Sequence, residues 1–439
     1  MARKLFGTDG VRGVAGEFLT AELALALARA ATKQAGAQRP QVVILRDTRE
    51  SGEMLQAALA AGVSAAGGDA LLAGVLPTPA APLLLRRYGL DLAAVVSASH
   101  NPYRDNGVKF FAADGYKLSD EREAAIEREL ERGADGAGLA PGRVRDLRGA
   151  DEDYLRELHT RFAELDLDGL DVLLDCANGA TFRAAPEIFR RLGASVTVVA
   201  DTPDGRNINE KCGSTNVHAL GERVRSGGHA LAFAFDGDGD RVLAVDRNGT
   251  VVDGDELMAL AALHLRDQGR LAGNGVVVTV MTNYGFHAAM QQAGVEVATT
   301  AVGDRYVLEE LRARSWTLGG EQSGHIIDMA FNHTGDGIAS ALLTLEALGG
   351  RDLSERAAMQ RLPQRLVNVR VRDREAIHST PAVEEAVRAA ADALAGRGRV
   401  LVRPSGTEPL VRVMVEAPSE QEAQELCDGL VATVQRELA

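Results

Sequence analysis

At 439 residues the chain is too long for one ordinary core, and roughly 150 residues per domain predicts three or four. An apolar fraction of 46% and a charged fraction of 25% are those of a globular protein, and no apolar run reaches the ~18 residues of a membrane span. A formal charge of −14 argues against a nucleic-acid partner, which would want a basic face, and it means that any anionic substrate would need cations concentrated locally.

The opening MARKLFGTDG has no apolar core of the signal-peptide kind. Cys176, Cys212 and Cys427 are odd in number and lack CxxC spacing, so they point to a reducing cytoplasm and not to disulfides or zinc. GTDGVRG (7–13) is a glycine-rich loop carrying Arg12. Next, 41–74 reads strand, polar turn, helix, Ala/Gly stop, strand, and 171–200 and 275–303 repeat that layout. Each is about 30 residues, the length of a βαβ unit. Their continuous Val/Leu/Ile runs suit parallel strands covered on both faces. We therefore expect three similar α/β domains in tandem, with the polar stretch 141–160 as the first boundary; the alternative is one large sheet with three crossovers. The tail after residue 362 reads strand, helix, strand, turn, strand, helix, a small α+β domain. The expected division is 1–150, 151–250, 251–365 and 366–439.

The strongest chemical signal is FDGDGDR (235–241), directly after the apolar run ALAFAF. Glycines alternate with Asp236, Asp238 and Asp240, so three carboxylates can turn toward one point. Hard oxygen ligands of this kind suit Mg²⁺; the other reading is an acidic surface turn. An EF-hand fails, because its glycine and glutamate positions hold Arg241 and Arg247. In VRPSGTEPLVR (402–412), Arg403 and Arg412 flank Ser405, Gly406 and Thr407, a set suited to holding phosphate or, more plainly, a hairpin. GGEQSGH (319–325) offers Glu321 and Ser323 to sugar hydroxyls, though a plain turn fits as well, and TAVGDRYV (300–307) carries Asp304 and Arg305.

SASHNP (97–102) follows the apolar run LAAVV. Its serines beside His100 suggest a hydrolase, but the G-x-S-x-G elbow is absent. In an extended segment neighbouring side chains also point to opposite faces, which would place His100 poorly for activating Ser99. A serine in a chain with a metal loop and a phosphate clamp suits another role, that of phosphate carrier.

Taken together and in this order, SASHNP, DGDGDR, GEQSGH and RPSGTEP resemble the four loops of the α-D-phosphohexomutase superfamily along the whole chain. KLFGTDGVRGVAGE, NPYRDNGVKFF and NINEKCGSTN are most similar to its bacterial branch acting on glucosamine phosphates. The resemblance implies three similar α/β domains with mixed, mainly parallel sheets plus a smaller C-terminal α+β domain, around a central cleft. It implies that Ser99 is a phosphoserine and that Ser99, Asp236, Asp238 and Asp240 hold one Mg²⁺ per chain. Arg12, His100, Lys109 and Arg241 would supply the cations and proton-transfer groups around that phosphate. Gly303, Asp304, Arg305, Glu321, Ser323 and His325 would meet the sugar, and Arg403, Ser405, Gly406, Thr407 and Arg412 the non-reacting phosphate.

The implied reaction interconverts glucosamine 6-phosphate and glucosamine 1-phosphate through a 1,6-bisphosphate, with a hexosamine or hexose 1,6-bisphosphate as primer. It would feed UDP-N-acetylglucosamine and cell-wall synthesis. The expected partners are small sugar phosphates, with neither nucleic acid nor membrane, and the resemblance favours a homodimer. Three carboxylates and a phosphate of about −2 total about −5, and one Mg²⁺ leaves about −3, so the cations answer the charge problem. Reorienting the intermediate would need a clamp that opens, with a hinge expected near 362–370. Glucose or mannose phosphates of the same fold are the near alternative, and a non-catalytic, metal-stabilised sugar-phosphate binder is the alternative of another class. One local departure is FNHTGDG (331–337), where His333 stands in place of an expected threonine.

Overall fold

The computed structural model describes residues 5–7, 9–132, 140–404 and 410–438. It forms two compact units, Met1–Val280 with Ala298–Arg356, and Met281–Val297 with Ala357–Ala439.

The first sheet is built from β1 (Val11–Val14), β2 (Gln41–Arg46), β3 (Asp69–Val75), β4 (Leu92–Val96), β5 (Asp105–Ala112) and β6 (Val144–Asp146), in the order β1-β5-β4-β2-β3-β6. β2 is parallel to β3 and β4, and β3 to β6, while β5 runs antiparallel to β4 and β1. Its crossovers are α1 (Ala21–Lys33), α2 (Gly52–Ala65), α3 (Ala80–Tyr88) and α4 (Asp120–Arg132). The LAAVV run of β4 is buried at every position, as a central strand covered on both faces requires. Thr20 starts α1 by accepting from the Leu23 N–H, and Gly89, at φ 62°, ends α3.

α5 (Ala150–Arg161) leads into the second sheet. The polar boundary expected over 141–160 is therefore helical in its second half. Tyr154, Leu155 and Leu158 form its buried face, and the Tyr154 hydroxyl donates to Asp336 at 3.0 Å. Three apolar residues at helical spacing were hidden by the charges around them.

The second sheet comprises β7 (Asp171–Asp175), β8 (Ser195–Val199), β9 (Leu231–Phe235), β10 (Val242–Asp246) and β11 (Val251–Val252), in the order β11-β10-β9-β7-β8, with α6 (Ala184–Arg191) and α7 (His218–Gly227). β7 is parallel to β8 and β9, and β10 is antiparallel to β9. After α8 (Gly254–Asp267) come β12 (Gly275–Thr279), α9 (Tyr284–Gln292), β13 (Glu296–Thr300), α10 (Asp304–Arg314), β14 (Leu318–Gly320), β15 (Ile326–Asp328) and α11 (Gly337–Leu348). Their sheet runs β13-β12-β14-β15. The expected mixed, mainly parallel α/β regions are thus present in tandem. Asp253 caps α8 and Asp336 caps α11, each by accepting a backbone N–H of the first turn.

In the second unit, β16 (Gln364–Arg370), β17 (Arg399–Pro404) and β18 (Leu410–Glu416) form an antiparallel sheet in the order β16-β18-β17, covered by α12 (Pro381–Leu394) and α13 (Glu420–Leu438). Val369, Val411, Val413, Val415, Leu430 and Val434 form its core. The segment carrying α9 belongs to this unit: the buried Glu416 accepts from the Tyr284 N–H at 2.8 Å, and the side-chain Oδ1 of Asn283 accepts from the Leu362 N–H at 3.0 Å. The chain passes between the units at Val280–Met281, Val297–Ala298 and Arg356–Ala357, whereas 364–370 is a fully paired strand. The expected hinge range, 362–370, begins just beyond the last of these passages and overlaps that strand; as a statement about motion it stays a proposal.

His287, on α9, has its pKa lowered to about 4 by burial and, secondarily, by the Arg399 charge. The unfolded chain then binds the extra proton between pH 6.5 and 4, so stability is full above pH 6.5 and is lost as pH falls toward 4. The full shift corresponds to about 3 kcal/mol, and partial exposure reduces the expected loss to about 1–2 kcal/mol. Urea titrations from pH 7 to 4.5 should show that loss, and His287→Gln should flatten it; equal slopes for both proteins would contradict the assignment.

Candidate active site

Three loops of the first unit begin where buried strands end: residues 97–102 after β4, 236–241 after β9, and 321–325 after β14. Loops at the carboxyl ends of parallel strands are where open α/β sheets gather their ligands.

The Ser99 hydroxyl is buried and donates to Asp236 Oδ2 at 2.6 Å. Ser99 has φ 51°, so the backbone turns left-handed there and does not alternate as an extended strand would. This corrects the sequence expectation for His100: its Nδ1 lies 3.3 Å from Ser99 Oγ, within reach because of that turn. Burial, with Arg241 and Arg12 nearby, lowers the His100 pKa and keeps the ring neutral near pH 7. The Arg241 guanidinium approaches His100 Nδ1 at 3.3 Å, and its backbone N–H donates to Asp236 Oδ1 at 3.2 Å. The Ser97 hydroxyl is engaged elsewhere, donating to Asp47 at 2.6 Å and accepting the Ser99 N–H at 2.9 Å.

Asp236, Asp238 and Asp240 are all buried, and each brings a carboxylate oxygen within 4.8 Å of the others. Gly239, at φ 74°, makes the turn between them, and a side chain there would strike Thr181. Burial, followed by the charges of Asp240 and Asp238, pushes the Asp236 carboxyl well above its usual range. Among the described residues, Asp238 Oδ1 and Asp240 Oδ1 have no hydrogen-bond partner. Three buried carboxylates that repel one another, with oxygens left over, fit a hard divalent cation such as Mg²⁺.

The cations stand around this triad. Lys109, on β5, donates to Asp238 at 2.7 Å and lies 3.8 Å from Asp240 and 3.6 Å from Asp9. Arg12, on β1, pairs with Asp9, and among the described residues its buried Nε has no hydrogen-bond partner. His325 approaches Asp240 at 3.6 Å and accepts the Gly335 N–H at 3.1 Å. Glu321 is buried and accepts the Gly303 N–H at 3.0 Å, which ties the two glycine-rich loops of this region together, while Ser323 is exposed. Asp304 pairs with Lys117; Arg305 pairs with Asp120 and lies 3.8 Å from Glu123 and 3.4 Å from Glu309. In the second unit, Arg403 and Arg412 face each other across β17 and β18, and burial with the Arg412 charge lowers the Arg403 pKa. Ser405, Gly406 and Thr407 lie outside the described residues. His333 stacks on Tyr116 with centroids 4.1 Å apart and reaches the Asp114 carbonyl at 3.0 Å, which accounts for a histidine at that position.

Sequence reasoning missed several participants. Thr78 donates to Asp238 at 2.6 Å. Asp9 bridges Arg12, Lys109 and Lys117, and although burial opposes its charge, those cations hold its carboxyl well below the usual range. Asp47 and Arg49 lie in RDTRESG (46–52), which reads as an ordinary polar turn. The available signal was that it begins at the end of a buried strand, as the metal loop does.

Fold and site together define an enzyme of the phosphohexomutase type. Four matches to the descriptions phosphoglucomutase/phosphomannomutase alpha/beta/alpha domain I (residues 3–136), domain II (152–249), domain III (253–365) and C-terminal domain (366–433) span nearly the whole chain. The chain belongs to the phosphoglucomutase/phosphomannomutase family. It is 53% identical over 436 residues to a phosphoglucosamine mutase of Moorella thermoacetica, covering 97% of this chain and 98% of the relative. It is 52% identical over 442 residues to the phosphoglucosamine mutase of Desulforudis audaxviator, covering 98% and 97%. A crystal structure of a phosphoglucomutase/phosphomannomutase family protein from Burkholderia thailandensis superposes with a TM-score of 0.82 at 23% identity, covering 98% and 97% of the two chains.

Proposed function

We propose that this chain is a phosphoglucosamine mutase that interconverts glucosamine 6-phosphate and glucosamine 1-phosphate, with Ser99 as the phosphate carrier. The observation that carries the reading is the Ser99 hydroxyl 2.6 Å from Asp236, in a buried triad of carboxylates ringed by Lys109, Arg241, Arg12 and His100. The choice of sugar rests on relatives of that name more than 50% identical along nearly the full chain.

In this reading the Ser99 phosphoryl group moves to O1 of glucosamine 6-phosphate, giving the 1,6-bisphosphate. The intermediate turns end for end, and its 6-phosphoryl group returns to Ser99, leaving glucosamine 1-phosphate. Phosphoryl transfer asks the protein chiefly for positioning and charge stabilisation. Asp236, Asp238 and Asp240 would hold one Mg²⁺, which when bound supplies charge neutralisation at the transferring phosphate. Lys109, Arg241 and Arg12 add cationic charge around the same point, and neutral His100 stands ready to accept a proton. Glu321, Ser323 and His325, with Gly303, Asp304 and Arg305, form the sugar side; Arg403, Ser405, Gly406, Thr407 and Arg412 hold the non-reacting phosphate. The expected division into 1–150, 151–250, 251–365 and 366–439 gives each loop its own domain. A bisphosphate primes the serine, and three free cysteines are in keeping with a cytoplasmic enzyme. Among the described residues no helix is long and apolar enough to cross a membrane.

The sugar assignment is tested by turnover of glucosamine, glucose and mannose 6-phosphates with Mg²⁺ and glucose 1,6-bisphosphate. Glucosamine phosphate should be favoured in kcat/KM by about tenfold or more, the scale that a polar contact to one substituent supplies. A preference for glucose or mannose phosphate would overturn it.

A further inference from the structure

Arg49 lies three residues beyond the end of β2 and is 1% exposed, and its partner Asp47 is 0% exposed. A guanidinium this deep persists only where its charge and its N–H groups are satisfied. Its Nε donates to Asp47 Oδ2 at 2.8 Å. Nη2 donates to the carbonyls of Ser99 and Asn101 at 2.8 and 2.9 Å, and Nη1 donates to the carbonyl of Asp105 at 3.0 Å and to that of Pro102. One side chain thus gathers three carbonyls of the serine loop and that of Asp105, the first residue of β5. Asp47 Oδ2 also accepts the Ser97 hydroxyl, whose oxygen in turn accepts the Ser99 N–H.

The other side of the loop is held as closely. Asn209 Nδ2 donates to the same two carbonyls, Ser99 at 2.9 Å and Asn101 at 3.2 Å. Gly237 of the metal loop lies so near that a Cβ there would be 2.5 Å from the Ser99 carbonyl oxygen. Ser99 is a non-glycine residue at φ 51°, a conformation costing of order 1 kcal/mol that persists only where its surroundings over-determine it. It is this backbone that carries Oγ to Asp236.

We propose that Arg49, seated on Asp47, is a positioning residue that fixes the left-handed turn at Ser99 and so makes Ser99, and not Ser97, the phosphate carrier; this rests on the mutase reading above. Asp47 occupies the Ser97 hydroxyl, and the carbonyl clamp aims the Ser99 hydroxyl. A lysine at 49 would keep the charge but could not span Asp47 and four carbonyls with one compact ammonium.

The test compares wild type, Arg49→Lys and Asn209→Ala, each checked for folding by thermal unfolding. Loading of serine by glucose 1,6-bisphosphate is followed by mass spectrometry with phosphosite mapping, alongside kcat and KM for glucosamine 6-phosphate. In Arg49→Lys, kcat and the Ser99 loading rate should fall about 100-fold with KM within about twofold, the pattern of misplaced reacting groups and intact binding. Asn209→Ala should show the same split at about tenfold, and it decides the matter if Arg49→Lys does not fold. Phosphate moving to Ser97 in either variant would support the proposal. A folded Arg49→Lys, or failing that a folded Asn209→Ala, that loads Ser99 at the wild-type rate or changes only KM would overturn it. Wild type that takes no phosphate on Ser99 would instead remove the mutase reading itself.

Discussion

Ser99→Ala should abolish turnover, by at least about 10³-fold, while the protein stays folded and still binds glucosamine 6-phosphate. The hydroxyl is the only part of that side chain beyond Cβ, and the backbone around it is fixed by Arg49 and Asn209 through main-chain carbonyls that alanine retains. Asp236 loses one donor but keeps the Arg241 N–H, so the expected stability cost is about 1 kcal/mol. Thermal unfolding and calorimetric titration check the fold and the binding, and a coupled assay checks turnover. A sugar-phosphate binding protein without catalysis would be indifferent to the change. Turnover within tenfold of wild type would mean that no covalent phosphoserine lies on the path.

The second large effect is expected at Asp236. Asp236→Asn keeps the shape and removes one of three mutually repelling charges, so turnover should fall about 10³-fold even at saturating Mg²⁺. Stability gives an independent readout. With chelator present, the variant should be more stable than wild type, because burial and its neighbours already disfavour the charged form of Asp236. With millimolar Mg²⁺ the order should reverse, since a ligand bound only by the folded state stabilises wild type more. Melting curves of both proteins with and without Mg²⁺ measure this. No Mg²⁺-dependent rise in the wild-type midpoint would remove the metal from the account.

How much of this could be read in the sequence depends on the kind of signal. Strands such as LAAVV and LAFAF declared themselves by unbroken apolar runs, and the Asp-Gly alternation announced the triad, because each is a local pattern. α5 did not, since Tyr154, Leu155 and Leu158 are sparse among charges and their burial depends on residues near 336. The contact between Ser99 and His100 was misjudged because alternation assumes an extended backbone, and the turn at φ 51° is imposed by Arg49, fifty positions upstream. The charge bridges from Asp9 to Lys117 and from Lys117 to Asp304 were illegible for the same reason. Their members lie far apart along the chain and meet only once the sheets are assembled.

The central claim is that Ser99 carries the phosphate. Intact-mass measurement with phosphosite mapping, before and after incubation with glucose 1,6-bisphosphate and Mg²⁺, tests it most directly. One added phosphate per chain is expected, mapped to Ser99 and discharged on adding glucosamine 6-phosphate. Phosphate found only on Ser97, or no phosphate at all, would contradict it.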